Sequence, residues 1–214
     1  MDNRITIIGC GPGAPDLLTL RASTAILDAD CVVGSQRLID AFAMDNQETI
    51  VIDGNYKAAI TEAQAVAKNG LRVAFLVSGD PLFCSLGALI VKEFGKKACE
   101  IIPGIGSIPY AFTLLKESWQ DYRLLSLHGN ANVDIREAFN KNDKIAILLD
   151  PEQNLKWVKN QLEGVKTDDR RFFIATNLTL PEEDFKEIAF KDLGTITEES
   201  LAILLIKKRD KHDR

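Results

Sequence analysis

The sequence predicts an α/β protein of two domains, the first a parallel sheet with helices on both faces, the second a mixed sheet. Three observations predict it. Up to about residue 116, short apolar runs alternate with segments of helical length, and those runs are apolar throughout rather than at every second residue. Such strands are buried on both faces, as in parallel sheets. A polar stretch, KESWQD at 116–121, then separates this half from a second set of apolar runs. Finally, the last two of those runs have only Lys191 to Ser200 between them, too little for a covering helix, which suggests an antiparallel hairpin. The domains are expected to span 1–116 and 117–214, each of ordinary size.

The first strand, 4–8, carries Ile5, Ile7 and Ile8 and ends at a turn built from Gly9, Gly11, Pro12 and Gly13. A helical segment follows at 16–28. Strands at 31–33, 49–52, 72–77 and 99–102 then alternate with helical patterns at 35–43, 57–69, 83–94 and 106–116. The second half reads as strands at 122–128, 144–149, 171–176, 185–190 and 201–206, with helices at 133–140 and 152–163. The closing KKRDKHDR reads as a frayed, solvated end.

Composition excludes several functions. A formal net charge of -5 argues against a nucleic-acid binder, since phosphate contacts need a basic surface. No apolar run reaches the roughly 18 residues of a membrane span. MDNRITII is too polar for a signal peptide, so a cytoplasmic protein without membrane contact is expected. The four cysteines, Cys10, Cys31, Cys84 and Cys99, lack C-x-x-C spacing and lie in or beside apolar runs, where small buried thiols are expected. His128 and His212 are the only histidines, too few for a zinc site. No G-x-S-x-G turn presents a serine nucleophile.

Three strands of the first domain end in special turns: Gly9 to Gly13, Ser78-Gly79-Asp80-Pro81, and Pro103-Gly104-Ile105-Gly106-Ser107. A parallel sheet sends all three to one edge, where such sheets bind ligands. Gly9, Gly11 and Ala14 satisfy the dinucleotide pattern G-x-G-x-x-G/A, but Pro12 removes an N–H from the turn that would cradle a pyrophosphate. The acid expected after the second strand is replaced by Gly34-Ser35-Gln36. Asp80 is either a turn-stabilising cap or an acceptor for ribose hydroxyls or an amine.

This conjunction resembles the tetrapyrrole methylase family, S-adenosylmethionine-dependent enzymes of cobalamin and sirohaem synthesis. GCGPGAPDLLTLRA at 9–22, SGDPLF at 78–83 and PGIGS at 103–107 carry the resemblance, which covers nearly the whole chain. VVGSQRLI at 32–39, the stretch ending at Tyr110-Ala111-Phe112, and SLHG at 126–129 point to the branch that methylates C5 of a precorrin or cobalt-precorrin macrocycle. The resemblance implies S-adenosylmethionine bound between the domains by Pro12, Ser78, Gly79, Asp80, Phe83, Gly106 and Ser107, with Leu149 as a further apolar contact. It also implies a homodimer, working beside a separate decarboxylating C15-methyltransferase. Two positions depart from the branch: Gly106 stands where serine is common, and Asn130 where arginine is common. Arg123, Arg136, Arg37 and Lys57 are the alternative cations for substrate carboxylates. Other readings are a family member acting on uroporphyrinogen III or on the modified histidine of elongation factor 2, and a dinucleotide-binding oxidoreductase. A non-enzymatic binding module would not need three glycine turns on one edge.

Methyl transfer from a sulfonium is an in-line displacement of an already activated group, so alignment and exclusion of water are the protein's main tasks. His128, at the end of a strand of the second domain, is the candidate catalytic residue, its alternative role being a structural hydrogen bond. If alignment carries the rate, His128→Ala costs less than about tenfold, below the usual range for a positioned base.

Overall fold

The structure is a computed structural model and describes residues 5–128, 133–196 and 202–209. Gly129, Asn130 and His212 lie outside the described residues, and with them the Asn130 departure. The chain forms two compact units, Met1–Gly106 and Ser107–Arg214.

The first unit contains strands β1 (Ile5–Gly9), β2 (Cys31–Gly34), β3 (Glu48–Val51), β4 (Val73–Val77) and β5 (Cys99–Ile102), in the order β3-β2-β4-β1-β5. Every pairing is parallel. Its helices are α1 (Leu20–Leu27), α2 (Gln36–Phe42), α3 (Tyr56–Lys68) and α4 (Gly87–Phe94). The unbroken apolar runs have a direct explanation in β4. Val73, Phe75 and Val77 join Ala59, Ile60, Ala63 and Ile90 beneath α3 and α4. Ala74 and Leu76 join Ala22, Ile26, Leu38 and Phe42 beneath α1 and α2. Both faces are covered, so neither parity along the strand can be polar.

Two helices of this unit, α1 and α4, start a full turn later than the periodicity predicts. Pro15 opens a single 3-10 turn, Pro15–Leu17, and Leu18 is extended. Thr19 then caps α1, its side chain accepting from the Ala22 N–H at 3.1 Å. In the other case α4 begins only at Gly87, because Gly87 is pressed against Pro81. A Cβ there would lie 2.2 Å from Pro81 O.

The second unit contains α5 (Ser107–Leu115), β6 (Arg123–Ser126), α6 (Ile135–Lys141), β7 (Lys144–Leu148), α7 (Leu155–Gln161), β8 (Arg170–Thr176), β9 (Asp184–Ile188) and β10 (Ala202–Lys208). Strand order is β6-β7-β10-β8-β9. β6 and β7 are parallel, and β10 is antiparallel to both its neighbours. The sheet is mixed, but the expected hairpin between the last two strands is absent. β9 pairs with β8 instead, and β10 inserts between β7 and β8. Burial explains the swap: residues 202–207 are all buried, whereas β9 is half exposed. A strand apolar on both faces belongs in the middle of a sheet, and a polar one at its edge.

That insertion also corrects the expected tail. Lys207 lies within β10, 5% exposed, and its Nζ donates to Glu117 Oε1 at 2.5 Å. The division between units falls before the polar stretch 116–121 rather than at it. Ile108, Ala111 and Phe112 of α5 pack with Ala146, Phe173, Ile203 and Leu205 of the second sheet. Its opposite face holds α6 and α7, through Ile135, Phe139, Leu155 and Val158 against Ile145, Ile147, Phe172 and Leu204.

Candidate active site

β4, β1 and β5 lie side by side, and each runs at its carboxyl end into a glycine turn. Gly9, Gly79 and Gly104 bring the three turns into direct backbone contact. A Cβ on Gly104 would stand 2.3 Å from Gly79 O and 2.5 Å from Gly9 O, and one on Gly9 would stand 2.5 Å from Gly104 N. Gly79 N–H donates to Gly11 O at 2.7 Å, and both residues have left-handed φ, 67° and 73°. Three sequence-distant turns thus form one continuous floor that admits no side chain at its seams.

The residues in and directly after these turns differ in exposure. Pro12 and Gly106 are buried, Asp80 and Ser107 are half-buried, and Ser78 and Phe83 are exposed. Asp80 Oδ1 accepts from the Leu82 N–H at 2.9 Å, an Asx turn that fixes the carboxylate, while Oδ2 has no partner among the described residues. Ser78 Oγ accepts from Arg37 at 2.9 Å, so Arg37, one of the candidate cations, holds its charge at this edge. S-adenosylmethionine requires acceptors for its ribose hydroxyls, an apolar surface for adenine, and backbone close enough to follow its shape. Asp80 Oδ2, Ser78 Oγ, Phe83 and the glycine floor fit those requirements.

Cys10 lies in the first turn and is fully buried. Burial pushes its thiol up to about 12, only partly offset by a Val77 backbone hydrogen bond and by the Arg37 charge. Burial likewise pushes Cys31 up to about 12, helped by the charges of Glu48 and Glu62. The expectation of four buried cysteines fails at Cys84, which is exposed, and Cys99 is half-buried. The thiolate is the reactive form, so in mildly alkaline solution iodoacetamide is expected to alkylate Cys84 first. Cys10 and Cys31 stay unmodified until denaturant opens the first unit, a difference read by peptide mass spectrometry. Alkylation of Cys10 in the folded chain at a rate near that of Cys84 contradicts this assignment.

In the second unit, His128 and Asp150 follow the carboxyl ends of the paired strands β6 and β7. His128 Nδ1 lies 3.4 Å from Asp150 Oδ2, with side chains 38% and 23% exposed. Nearby on the same segments, the buried oxygens Ser126 Oγ and Gln153 Oε1 have no hydrogen-bond partner among the described residues. Leu149, expected at the cofactor, is 2% exposed and packs in the core with Leu127, Ile147 and Leu155. Arg136 is occupied structurally: it donates to Gln161 O at the end of α7 and to Glu163 O just beyond it. Arg123 and Lys57 are exposed, on β6 and α3. Asp150 was missed in the sequence. Its signal was an Asp-Pro pair directly after a strand, the same signature that drew attention to Asp80 and Pro81.

The chain thus combines a doubly covered parallel sheet, with a glycine floor at its carboxyl edge, and a mixed α/β unit, an α/β class of two units. The model of the tetrapyrrole (corrin/porphyrin) methylases matches residues 4–194, and the chain belongs to that family. A Methanocaldococcus jannaschii protein named probable cobalt-precorrin-7 C(5)-methyltransferase is 34% identical over 205 residues, 90% of this chain and 95% of that protein. The cobalt-precorrin-7 C(5)-methyltransferase of Salmonella typhimurium is 29% identical over 84% of this chain and 87% of its own. Among solved structures, a uroporphyrin-III C-methyl transferase from Thermus thermophilus, complexed with S-adenosyl homocysteine, has the same fold. Its TM-score is 0.78 at 19% identity, covering 95% of this chain and 97% of that one.

Proposed function

We propose that this chain transfers the methyl group of S-adenosylmethionine to C5 of a precorrin-7-type macrocycle, with or without cobalt, in cobalamin synthesis. The observation that carries the reading is its likeness, along nearly its whole length, to proteins named for that reaction. The sulfonium of the bound cofactor supplies an activated methyl group. The chain's own residues bind and align: the glycine floor sets the backbone surface, Asp80 Oδ2 and Ser78 Oγ accept hydrogen bonds, and Phe83 offers a ring face. Pro12, Gly106 and Ser107 shape the same edge, and Leu149 acts through the packing behind it. Arg37, beside Ser78, is positioned to meet a carboxylate. His128 is the candidate catalytic side chain.

The chain is further proposed to act in the cytoplasm as a homodimer, alongside a separate decarboxylating C15-methyltransferase. Among the described residues no helix is long and apolar enough to cross a membrane.

Calorimetric titration tests the cofactor. S-adenosylhomocysteine is expected to bind one site per chain, and NADH is expected not to bind, because Pro12 lacks the N–H that a pyrophosphate needs. Asp80→Ala removes both the acceptor and the turn's carboxylate, and is expected to weaken S-adenosylhomocysteine about tenfold, equivalent to one hydrogen bond of about 1.4 kcal/mol. Tight NADH binding with no response to the adenosyl ligand would sink the methyltransferase reading. Unchanged affinity in a folded Asp80→Ala variant removes the carboxylate from the site.

A further inference from the structure

The pair His128–Asp150 is set by the sheet rather than by chance proximity. β6 and β7 run parallel with Ser126 opposite Leu148. One residue further, Leu127 N–H donates to Leu148 O at 2.9 Å, and Leu127 and Leu149 are both buried, at 1% and 2% exposure. These two leucines anchor the strand ends side by side, so the next residues of each, His128 and Asp150, are brought abreast. Asp150 is also fixed from its other side. Its Oδ1 accepts from the Glu152 N–H at 3.0 Å, the same Asx-turn device that fixes Asp80 in the first unit. One carboxylate oxygen is therefore committed to the backbone, and the other is presented to the imidazole at 3.4 Å. The remaining ring nitrogen, Nε2, has no partner among the described residues. An acid–imidazole pair with an open outer nitrogen is the arrangement that selects one tautomer of a general base.

We propose that Asp150 is the positioning residue for His128: it holds a proton on Nδ1, so that Nε2 accepts the proton the macrocycle must release on methylation. The proposal rests on the methyltransferase reading above. Methyl transfer forms a carbon–carbon bond from a π electron pair of the macrocycle, and the carbon–sulfur pair returns to sulfur. The macrocycle is left with one positive charge. A C–H bond of the macrocycle then breaks, its electron pair restores the π system, and its proton passes to the Nε2 lone pair. The imidazolium so formed lies against the Asp150 carboxylate. The loss below about tenfold expected from the sequence supposed that alignment alone carries the rate. With Asp150 behind it the expected loss for His128→Ala rises to about 10²-fold, the lower end of the range for a positioned base.

Two measurements on the full chain test this, one of them independent of turnover. His212→Gln leaves a single imidazole, whose ring nitrogens are read by long-range ¹H–¹⁵N correlation. The proposal expects the Nδ1–H tautomer in this parent and its loss in the parent carrying Asp150→Asn. An Nε2–H tautomer in the parent, or a tautomer indifferent to Asp150→Asn, overturns it. In single turnover with saturating S-adenosylmethionine and the corrinoid acceptor, His128→Ala is expected to be rescued by added imidazole. Asp150→Asn should lose about tenfold, and the double variant should be no slower than His128→Ala alone. Absence of imidazole rescue, or multiplicative losses in the double variant, overturns the proton-accepting role. A parent that binds S-adenosylhomocysteine yet methylates no corrinoid overturns the acceptor assigned above and the proton step with it. The tautomer measurement still decides whether Asp150 orients His128.

Discussion

Gly79→Val is expected to remove nearly all methyl transfer, by about 10²-fold or more, while leaving the chain folded. Gly79 has φ 67°, a conformation that β-branched residues resist, and the strain of holding valine there is of order 1–3 kcal/mol. The turn has little room in which to relax. The Gly79 carbonyl already sits where a Cβ on Gly9 or Gly104 would be, and its N–H is bonded to Gly11 O at 2.7 Å. Relief therefore comes by shifting the turn, and the turn carries Ser78 and Asp80. A displacement of about 1 Å in groups that position a substrate is enough for a loss of this size. Gly54→Ala is the control. Gly54 also has left-handed φ, 97°, but nothing lies within 4 Å of its Cβ position, so the change strains the backbone without reaching the floor. Single-turnover rates, with circular dichroism of both variants, make the comparison. A Gly79→Val enzyme retaining half of its rate shows that the floor does not shape the site.

Arg170→Ala is expected to cost about 3 kcal/mol of stability, through lost hydrogen bonds and not through lost charge. The Arg170 side chain is 7% exposed. Its guanidinium donates to Asn142 O at 2.9 Å, Asp143 O at 2.7 Å and Phe139 O at 3.1 Å, carbonyls at and just beyond the end of α6, of which Asp143 O also accepts from the Lys208 N–H at 2.9 Å. It also stacks over the Phe139 ring, 4.6 Å from the centroid. Alanine removes every donor at once and opens a hole beneath Phe139. Arg170→Lys is expected to recover less than half of the loss, since one ammonium cannot span three carbonyls served by a planar fork. Urea unfolding followed by circular dichroism measures both. A loss under about 1 kcal/mol for Arg170→Ala means that water satisfies the three carbonyls.

The first unit was legible because its chemistry is local. Val73 to Val77 is apolar at both parities, which only a doubly covered strand tolerates, and each glycine turn follows its strand directly. The second unit was less so, because its organisation is set by partners distant in sequence. Nothing near residues 202–208 says that they pair with both 144–148 and 170–176. The burial of residues 202–207 gives it away only afterwards. α5 reads as the last helix of the first domain from its spacing, and its place beneath the second sheet depends on Phe173, Ile203 and Leu205, which are far along the chain. The site divides in the same way. Asp80 stands in a loop whose composition advertises it, whereas Asp150 acquires meaning only once β6 and β7 are known to be neighbours. Leu149, offered as a cofactor contact by the family resemblance, packs in the core of the second unit, a burial that its place in the sequence does not reveal.

The position of β10 also governs how the chain is made. All the strands of the first unit have been translated by residue 102, so that sheet can close while later residues are still being added. The second sheet cannot close in the same way, because the strand that joins its two halves is translated after all the others. Until residues 202–208 emerge, β7 and β8 each present an unpaired, apolar edge, KIAIL and RRFFIAT, the kind of edge that recruits other chains. The second sheet is therefore most exposed to misassembly in the interval between the appearance of β8 and that of β10. That interval closes when one seven-residue strand finds the gap between its neighbours.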